Sequence, residues 1–324
     1  MKRSLALIAS GAFLLAISLL YVRTVPQFLP SEIVQYIHTR TTVEATTTSV
    51  SGKATLIFVG DMFFDRYIRK TSRMYGEDHS LACADEFLRS GDVVVGNLEG
   101  PITDEVSVSE GTMIGSPENY QFTFPSTTAP LLLRHNIRVV DLGNNHIANF
   151  GREGQLSTKQ YLQNAGVGYF GGVRGDEPVL EKSFGGIPFA FLSYNAFLGA
   201  EPEDVALRIR AEKEKGNTVI VFAHWGDEYS TSTFALRPIA TEFVSSGASL
   251  IVGAHPHVVL PHETIDGVPV YYSLGNFVFD QYWNDMVTHG LALRVEVENG
   301  KVSYVTEHET RLLSDGSTCM KASL

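Results

Sequence analysis

Ile251-Val252-Gly253-Ala254-His255-Pro256-His257-Val258-Val259 is a short β-branched run, two small residues, and then two histidines separated by one proline. Successive residues of an extended segment point to opposite faces, and proline stiffens the chain between the two imidazoles. The stretch therefore reads as a buried sheet strand whose carboxyl end opens into a site. Taken singly, the pair fits two loop histidines, or one histidine satisfied by a backbone carbonyl, equally well. The rest of the chain decides between these readings.

Working outward, comparable β-rich runs occupy residues 54–59, 92–96, 137–142, 189–193, 218–223 and 268–273. Helix-like stretches at 81–89, 129–135, 154–164, 203–215 and 235–246 fall between them, so the alternation predicts an α/β architecture with buried sheets. Two last runs, 291–298 and 302–308, are joined by Asn299-Gly300 and predict a hairpin. The insert 103–125 has no periodicity and reads as a loop over the site. Residues 273–280 read as a strand and turn buttressing it, without a ligand of their own.

Residues of metal-ligand type recur at the ends of these runs. Asp61 follows the first, Asn97 and Glu99 the second, Asn145 and His146 the third, His224 the 218–223 run, and His255 with His257 the opening stretch. Ligands of open α/β sheets collect at the carboxyl ends of strands, so these positions are expected to converge. Carboxylate, amide oxygen and imidazole together suit Mn, Fe or Zn, and they outnumber what one ion needs. One or two divalent ions, sharing Glu99, are expected. Each residue also has a plainer role: Asp61 as a helix cap, Asn97 as a turn residue, His224 as a core histidine beneath Trp225. Those roles do not explain why five strand ends carry such residues together.

The N-terminus adds a location. Residues 4–22, preceded by Lys2 and Arg3, are nearly continuous in apolar side chains and close to the roughly 20 residues that span a bilayer as a helix. With the positive charge on the N-terminal flank and no small-x-small cleavage site after the run, the expectation is an uncleaved single-pass anchor in the cell membrane, with the remainder on the extracytoplasmic side. Residues 24–53, rich in Thr and Ser, form a linker. A domain follows at 54–285, and a C-terminal hairpin and tail at 286–324. The net charge of −11 argues against nucleic-acid binding. The two cysteines, Cys83 and Cys319, match no zinc spacing and no disulfide framework; they read as structurally neutral, with a single long-range bridge left open.

Six ordered motifs carry a resemblance: Gly60-Asp61-Met62 with Arg66, Gly96-Asn97-Leu98-Glu99, Asn144-Asn145-His146, His224-Trp225-Gly226 with Glu228-Tyr229, Gly253-Ala254-His255-Pro256-His257-Val258, and Ser273 through Asp280. From about residue 54 to 280 the chain resembles the CapA family of bacterial poly-γ-glutamate capsule-biosynthesis proteins, whose domain is similar to the calcineurin-like metallophosphoesterases. The resemblance implies a four-layer αββα sandwich. It implies one metal on Asp61 and His257, the other on Asn145, His224 and His255, and Glu99 as the bridge. His146 would assist leaving-group departure and Arg66 would read a phosphate or carboxylate. The implied partners are the membrane, components of a capsule or poly-γ-glutamate synthase, and the anionic polymer.

Two departures accompany the resemblance. Phe63 stands where the superfamily has a histidine ligand, and Asn149 where the CapA family usually has aspartate. Two functions are therefore expected as alternatives. One is metal-dependent hydrolysis or transfer on a phosphoester or the polymer; the other is a non-catalytic binding or assembly factor for the synthase or its polyanionic product.

Overall fold

The computed structural model describes residues 51–321. The expected anchor and most of the linker lie outside the described residues. Among the described residues no helix is long and apolar enough to cross a membrane.

Among the described residues fourteen strands build two sheets. In chain order they are β1 (Lys53–Met62), β2 (Val93–Leu98), β3 (Ile137–Asp141), β4 (Gly168–Phe170), β5 (Leu180–Phe184), β6 (Ile187–Asn195) and β7 (Thr218–His224). Then come β8 (Leu250–Ala254), β9 (His262–Ile265), β10 (Val268–Tyr271), β11 (Asn276–Val278), β12 (His289–Glu298), β13 (Lys301–Leu312) and β14 (Thr318–Met320). The first sheet runs β14-β13-β12-β1-β2-β3-β4, with β11 also paired to β1; the second runs β5-β6-β7-β8-β10-β9. Strands β1 to β4 pair in parallel, as do β6, β7, β8 and β10. Antiparallel strands flank both parallel blocks: β12 to β14 against β1, and β5 and β9 at the edges of the second sheet.

Strand alternation explains why these runs are apolar throughout. Leu56 and Phe58 of β1 face a core shared with Phe189, Phe191, Phe222 and Val252 of the second sheet, so the sheets pack face to face. Ile57 and Val59, one residue out of phase, face a second core with Ile68, Leu88 and Leu132 from helices of the first sheet's outer side. Val219, Val221 and Ile251 do the same against Ile209 and Phe243 of helices Pro202–Glu214 and Arg237–Ser246. A strand buried on both faces has no polar phase to show.

The helices fall close to expectation, with three differences, one of them a one-turn helix at Asp285–Thr288 that the sequence reading did not place. The 81–89 stretch is split into short helices at His79–Ala82 and Asp85–Leu88, and a helix at Arg66–Tyr75 has no counterpart in the sequence reading. That helix buries only Ile68 and Thr71, which leaves almost no periodic apolar signal. The Asn299-Gly300 turn joins β12 to β13 with both residues at positive φ, the geometry a two-residue hairpin needs. The insert is a loop with one 3-10 turn at Pro117–Tyr120. Its ends are tied down by the buried Asp65, which accepts from Thr123 N and Ser109 Oγ, both at 2.9 Å.

The reading of the cysteines as neutral is corrected: Cys83 and Cys319 form a disulfide, with Cα atoms 4.8 Å apart. It fastens β14 to the segment after helix His79–Ala82 across 236 residues. Sequence spacing carries no information about a bridge whose ends meet only through the fold.

Candidate metal centre

Parallel pairing sets the carboxyl ends of β1, β2 and β3 beside those of β7 and β8, and the charged and amide side chains meet there. Close backbone approaches make this possible. A Cβ on Gly60 would sit 1.8 Å from Gly275 O, and one on Gly253 would sit 2.0 Å from Tyr272 O. Only glycine allows the chain around Asn276 to pass so near Asp61. Beyond β8, His255 and His257 both hold positive φ, at 95° and 59°, a strained conformation for residues with a Cβ. Such strain gathers where a fold must aim side chains into a site.

Glu99, His224 and His255 each offer a ligand atom within 4.8 Å of the other two, and all three are buried. Asn97 Nδ2 donates to Asp61 Oδ1 at 2.7 Å, to Glu99 Oε2, and weakly to His224 Nδ1 at 3.4 Å. His224 Nε2 lies 3.0 Å from Asn145 Oδ1. Two atoms of the cluster are buried with no hydrogen-bond partner: Glu99 Oε1 and His255 Nδ1. Glu99 Oε1 stands 3.5 Å from His224 Nε2. Orphaned buried acceptors cost free energy, on the order of 1–3 kcal/mol each, unless something binds them.

Burial, with the neighbouring Asp61 charge, pushes the Glu99 carboxyl well above the usual range. Burial pushes the His224 imidazole well down and that of His255 to about 4, with the neighbouring imidazoles adding to both shifts. Neutral imidazoles present lone pairs, the form a metal takes.

Asp61 and His257 behave differently. Burial alone would raise the Asp61 carboxyl, but the His257 hydrogen bond and charge, helped by His224 and Asn97, hold it well below the usual range. His257 Nδ1 donates to Asn276 Oδ1 at 2.9 Å and lies 3.3 Å from Asp61 Oδ2, which also accepts from His255 N at 3.2 Å. Both oxygens of Asp61 and the Nδ1 of His257 are thus partnered within the protein. Phe63, the residue at the superfamily's histidine position, is fully buried, stacked on Phe279 at 4.6 Å and edge-on to Phe122 at 4.7 Å.

His146 leaves the sheet end beneath the insert, its ring 4.1 Å from that of Phe122. Nδ1–H donates to Asn149 Oδ1 at 3.1 Å, and the same oxygen accepts from Phe122 N at 2.8 Å. Burial drives the imidazole down to about 3, against the smaller opposing pull of Asn149. Arg66 lies further out. Its guanidinium covers the Phe63 ring at 4.6 Å and is committed bidentately to Asp280, at 2.5 and 3.0 Å, and to Asn119.

The structure thus brings Asp61, Glu99, Asn145, His224, His255 and His257 to one end of the sandwich, with Arg66 at its edge. The sequence reading missed Asn276, which orients His257, and Asp280, which occupies Arg66. Their signal was Ser273-Leu274-Gly275-Asn276, a strand followed by glycine and a polar residue, the same form as Gly60-Asp61.

Residues 55–281 match the family model of the Bacterial capsule synthesis protein PGA_cap. The chain is 30% identical over 246 residues to PGA biosynthesis protein CapA of Bacillus subtilis (strain 168), covering 70% of this chain and 63% of that one. It is 28% identical over 253 residues to capsule biosynthesis protein CapA of Bacillus anthracis, covering 71% and 61%. With 63% and 61% of their lengths aligned, the chain spans less than two thirds of these curated relatives. With the family model spanning residues 55–281, the chain belongs to the family of bacterial capsule synthesis proteins.

Proposed function

We propose that this chain is a membrane-anchored accessory protein of poly-γ-glutamate or related capsule synthesis, with a calcineurin-like domain outside the cytoplasm. In that domain a divalent-metal centre on Glu99, Asn145, His224 and His255 serves hydrolysis or transfer on a phosphoester or the polymer. Residues 1–23 are the anchor, 24–53 the linker, 54–285 the domain and 286–324 the closing hairpin and tail. The observation that carries the metal centre is the pair of buried, partnerless atoms, Glu99 Oε1 and His255 Nδ1, in a cluster of oxygen and imidazole donors. One carboxylate, one amide and two imidazoles fit Mn, Fe or Zn. The Cys83–Cys319 disulfide supports an oxidising location.

A divalent ion held by these four residues supplies Lewis acidity that acidifies water and polarises an ester or amide oxygen. The protein's own groups do the rest. Asn97 fixes the Glu99 and His224 side chains, and Asn276 and Asp61 fix the His257 ring. His146 keeps Nδ1–H on Asn149, so Nε2 is the ring atom left to assist departure of the leaving group. The Phe122 ring of the insert packs against it at 4.1 Å.

A second reading, a non-catalytic assembly factor for the synthase or its polymer, is favoured by the Phe63 box, which puts phenyl in place of a ligand. Metal content of the full chain, paired with hydrolysis of an aryl phosphodiester by wild type and His146→Ala, separates the two. The expected result is one metal equivalent with turnover lost in the variant. Bound metal with no turnover in either protein supports the assembly factor, and no bound metal overturns the metal centre.

A further inference from the structure

A chain of hydrogen bonds leads from His257 to the surface, and its polarity is fixed from end to end. Asn276 Nδ2 donates to Val287 O and to Gln281 Oε1, both at 3.0 Å. A carbonyl only accepts, so the Val287 contact decides which way the Asn276 amide faces. Its Oδ1 is therefore the atom that meets His257 Nδ1 at 2.9 Å, and that nitrogen carries the hydrogen. The outer end follows by the same rule. Gln281, 5% exposed, turns Oε1 to Asn276, which leaves Nε2 to donate to Tyr229 Oη at 3.1 Å. Tyr229 Oη is the acceptor in that bond, and its own hydrogen is left to point elsewhere.

The backbone aims this ring. Tyr229 N donates at 2.9 Å to the O of Pro256, the residue between the two histidines, and Tyr229 holds φ at 61°, a conformation that favours glycine. Strain of this kind persists where a fold must direct a side chain. The ring lies 6.1 Å from that of His257 and edge-on to Trp283 at 5.6 Å, and it lines a cleft of about 530 Å³. Burial, with the charge of the adjacent Glu228, pushes the Tyr229 hydroxyl up, so it keeps its hydrogen at neutral pH.

We propose that Tyr229 is a substrate-reading residue: its hydroxyl, held as an acceptor by Gln281, donates its hydrogen to a phosphoryl oxygen of the molecule bound beside the metal centre. Gln281 is the positioning residue that turns the hydroxyl outward. This deepens the functional reading above and rests on it for the phosphoester, while the hydrogen bond itself needs no metal.

Inorganic phosphate titrated into the full chain by calorimetry, with metal content measured on the same samples, provides the test. Tyr229→Phe keeps the ring and removes only the hydroxyl, and the apparent Kd for phosphate is expected to rise about tenfold. Gln281→Met keeps the length of the side chain and removes the donor that orients the hydroxyl. It is expected to raise the Kd in the wild-type background and to leave it unchanged in Tyr229→Phe, because it acts only through that hydroxyl. A purely structural role would lower urea midpoints in these variants and leave the phosphate Kd unmoved. No saturable binding of phosphate by wild type, an unchanged Kd in Tyr229→Phe, or a Gln281→Met loss that persists in the Tyr229→Phe background overturns the proposal. Hydroxyl-dependent phosphate binding by a protein that takes up no metal upholds the role of Tyr229 and overturns the metal centre. A metal-loaded protein whose phosphate Kd ignores the hydroxyl overturns the role of Tyr229 and leaves the metal centre standing.

Discussion

The two halves of the candidate metal centre are built from the same kinds of residue and are left in opposite states. On one side, Glu99 and His255 keep a buried atom each without a partner, next to His224 and Asn145. On the other, the oxygens of Asp61 and the Nδ1 of His257 are spent on each other, on Asn97 and on Asn276, and Phe63 fills the neighbouring corner with an aromatic ring. Ligand-type residues at a strand end are thus not enough to make a ligand set. What distinguishes the first half is a buried carboxylate oxygen with unmet hydrogen-bonding capacity; in the second half both carboxylate oxygens are already engaged.

The sharpest way to break this contrast is to treat Phe63 as a degenerate ligand and remove it. If it is core, Phe63→Ala costs about 3–5 kcal/mol of stability and leaves metal stoichiometry as in wild type. Chemical denaturation with elemental analysis of the folded variant measures both, and a variant that keeps its stability or alters its metal content removes the distinction drawn here. The ligand half is tested next by His224→Ala, with metal affinity expected to fall about 100-fold or more in chelator competition, against no change for Asn276→Ala, which orients only the His257 of the other half. Equal losses in the two variants would mean that both halves hold metal.

The same contrast governs what could be read from the chain beforehand. The α/β alternation, most helix positions and the hairpin at Asn299-Gly300 were visible because periodicity and turn chemistry are local properties. The polar helix Arg66–Tyr75 was invisible because it buries two residues. The edge strand β9 was invisible because, although its burial alternates, one of its two inward positions is the half-buried Glu263, so Ile265 alone carries an apolar signal. At the site, residue types at strand ends gave the neighbourhood, since parallel pairing forces those ends together. They could not give the pairing inside it. That His257 turns to Asn276 and that Asp280 claims Arg66 depend on β11 lying against β1, a contact across more than 200 residues of chain. The disulfide was unreadable for the same reason.

A control for the orphan-atom criterion lies one strand away. Asp141, at the end of β3, also has a buried carboxylate oxygen, Oδ2, without a partner, but it has no imidazole cluster around it; its other oxygen accepts from Gly143 N at 2.8 Å. If an orphan carboxylate by itself marked a metal site, Asp141 would be one. Burial pushes its carboxyl up to about 7, against the pull of the Gly143 amide, as it also raises that of Glu99, so what separates the two acids is the imidazole cluster around Glu99. The folded value lies above the unfolded one, near 3.8. Its contribution to stability is therefore fully present below about pH 4 and is lost as pH rises toward about 7, by up to about 1.4 kcal/mol per pH unit. Asp141→Asn keeps the shape and cannot ionise. Relative to wild type, the variant is expected to gain stability steadily between about pH 4 and 7 and to hold a constant difference above it, with metal content unchanged. Urea midpoints across that range supply the measurement. Parallel curves, or a loss of metal in the variant, would place Asp141 with Glu99 and leave unmet hydrogen bonding unable to tell a ligand from a buried acid.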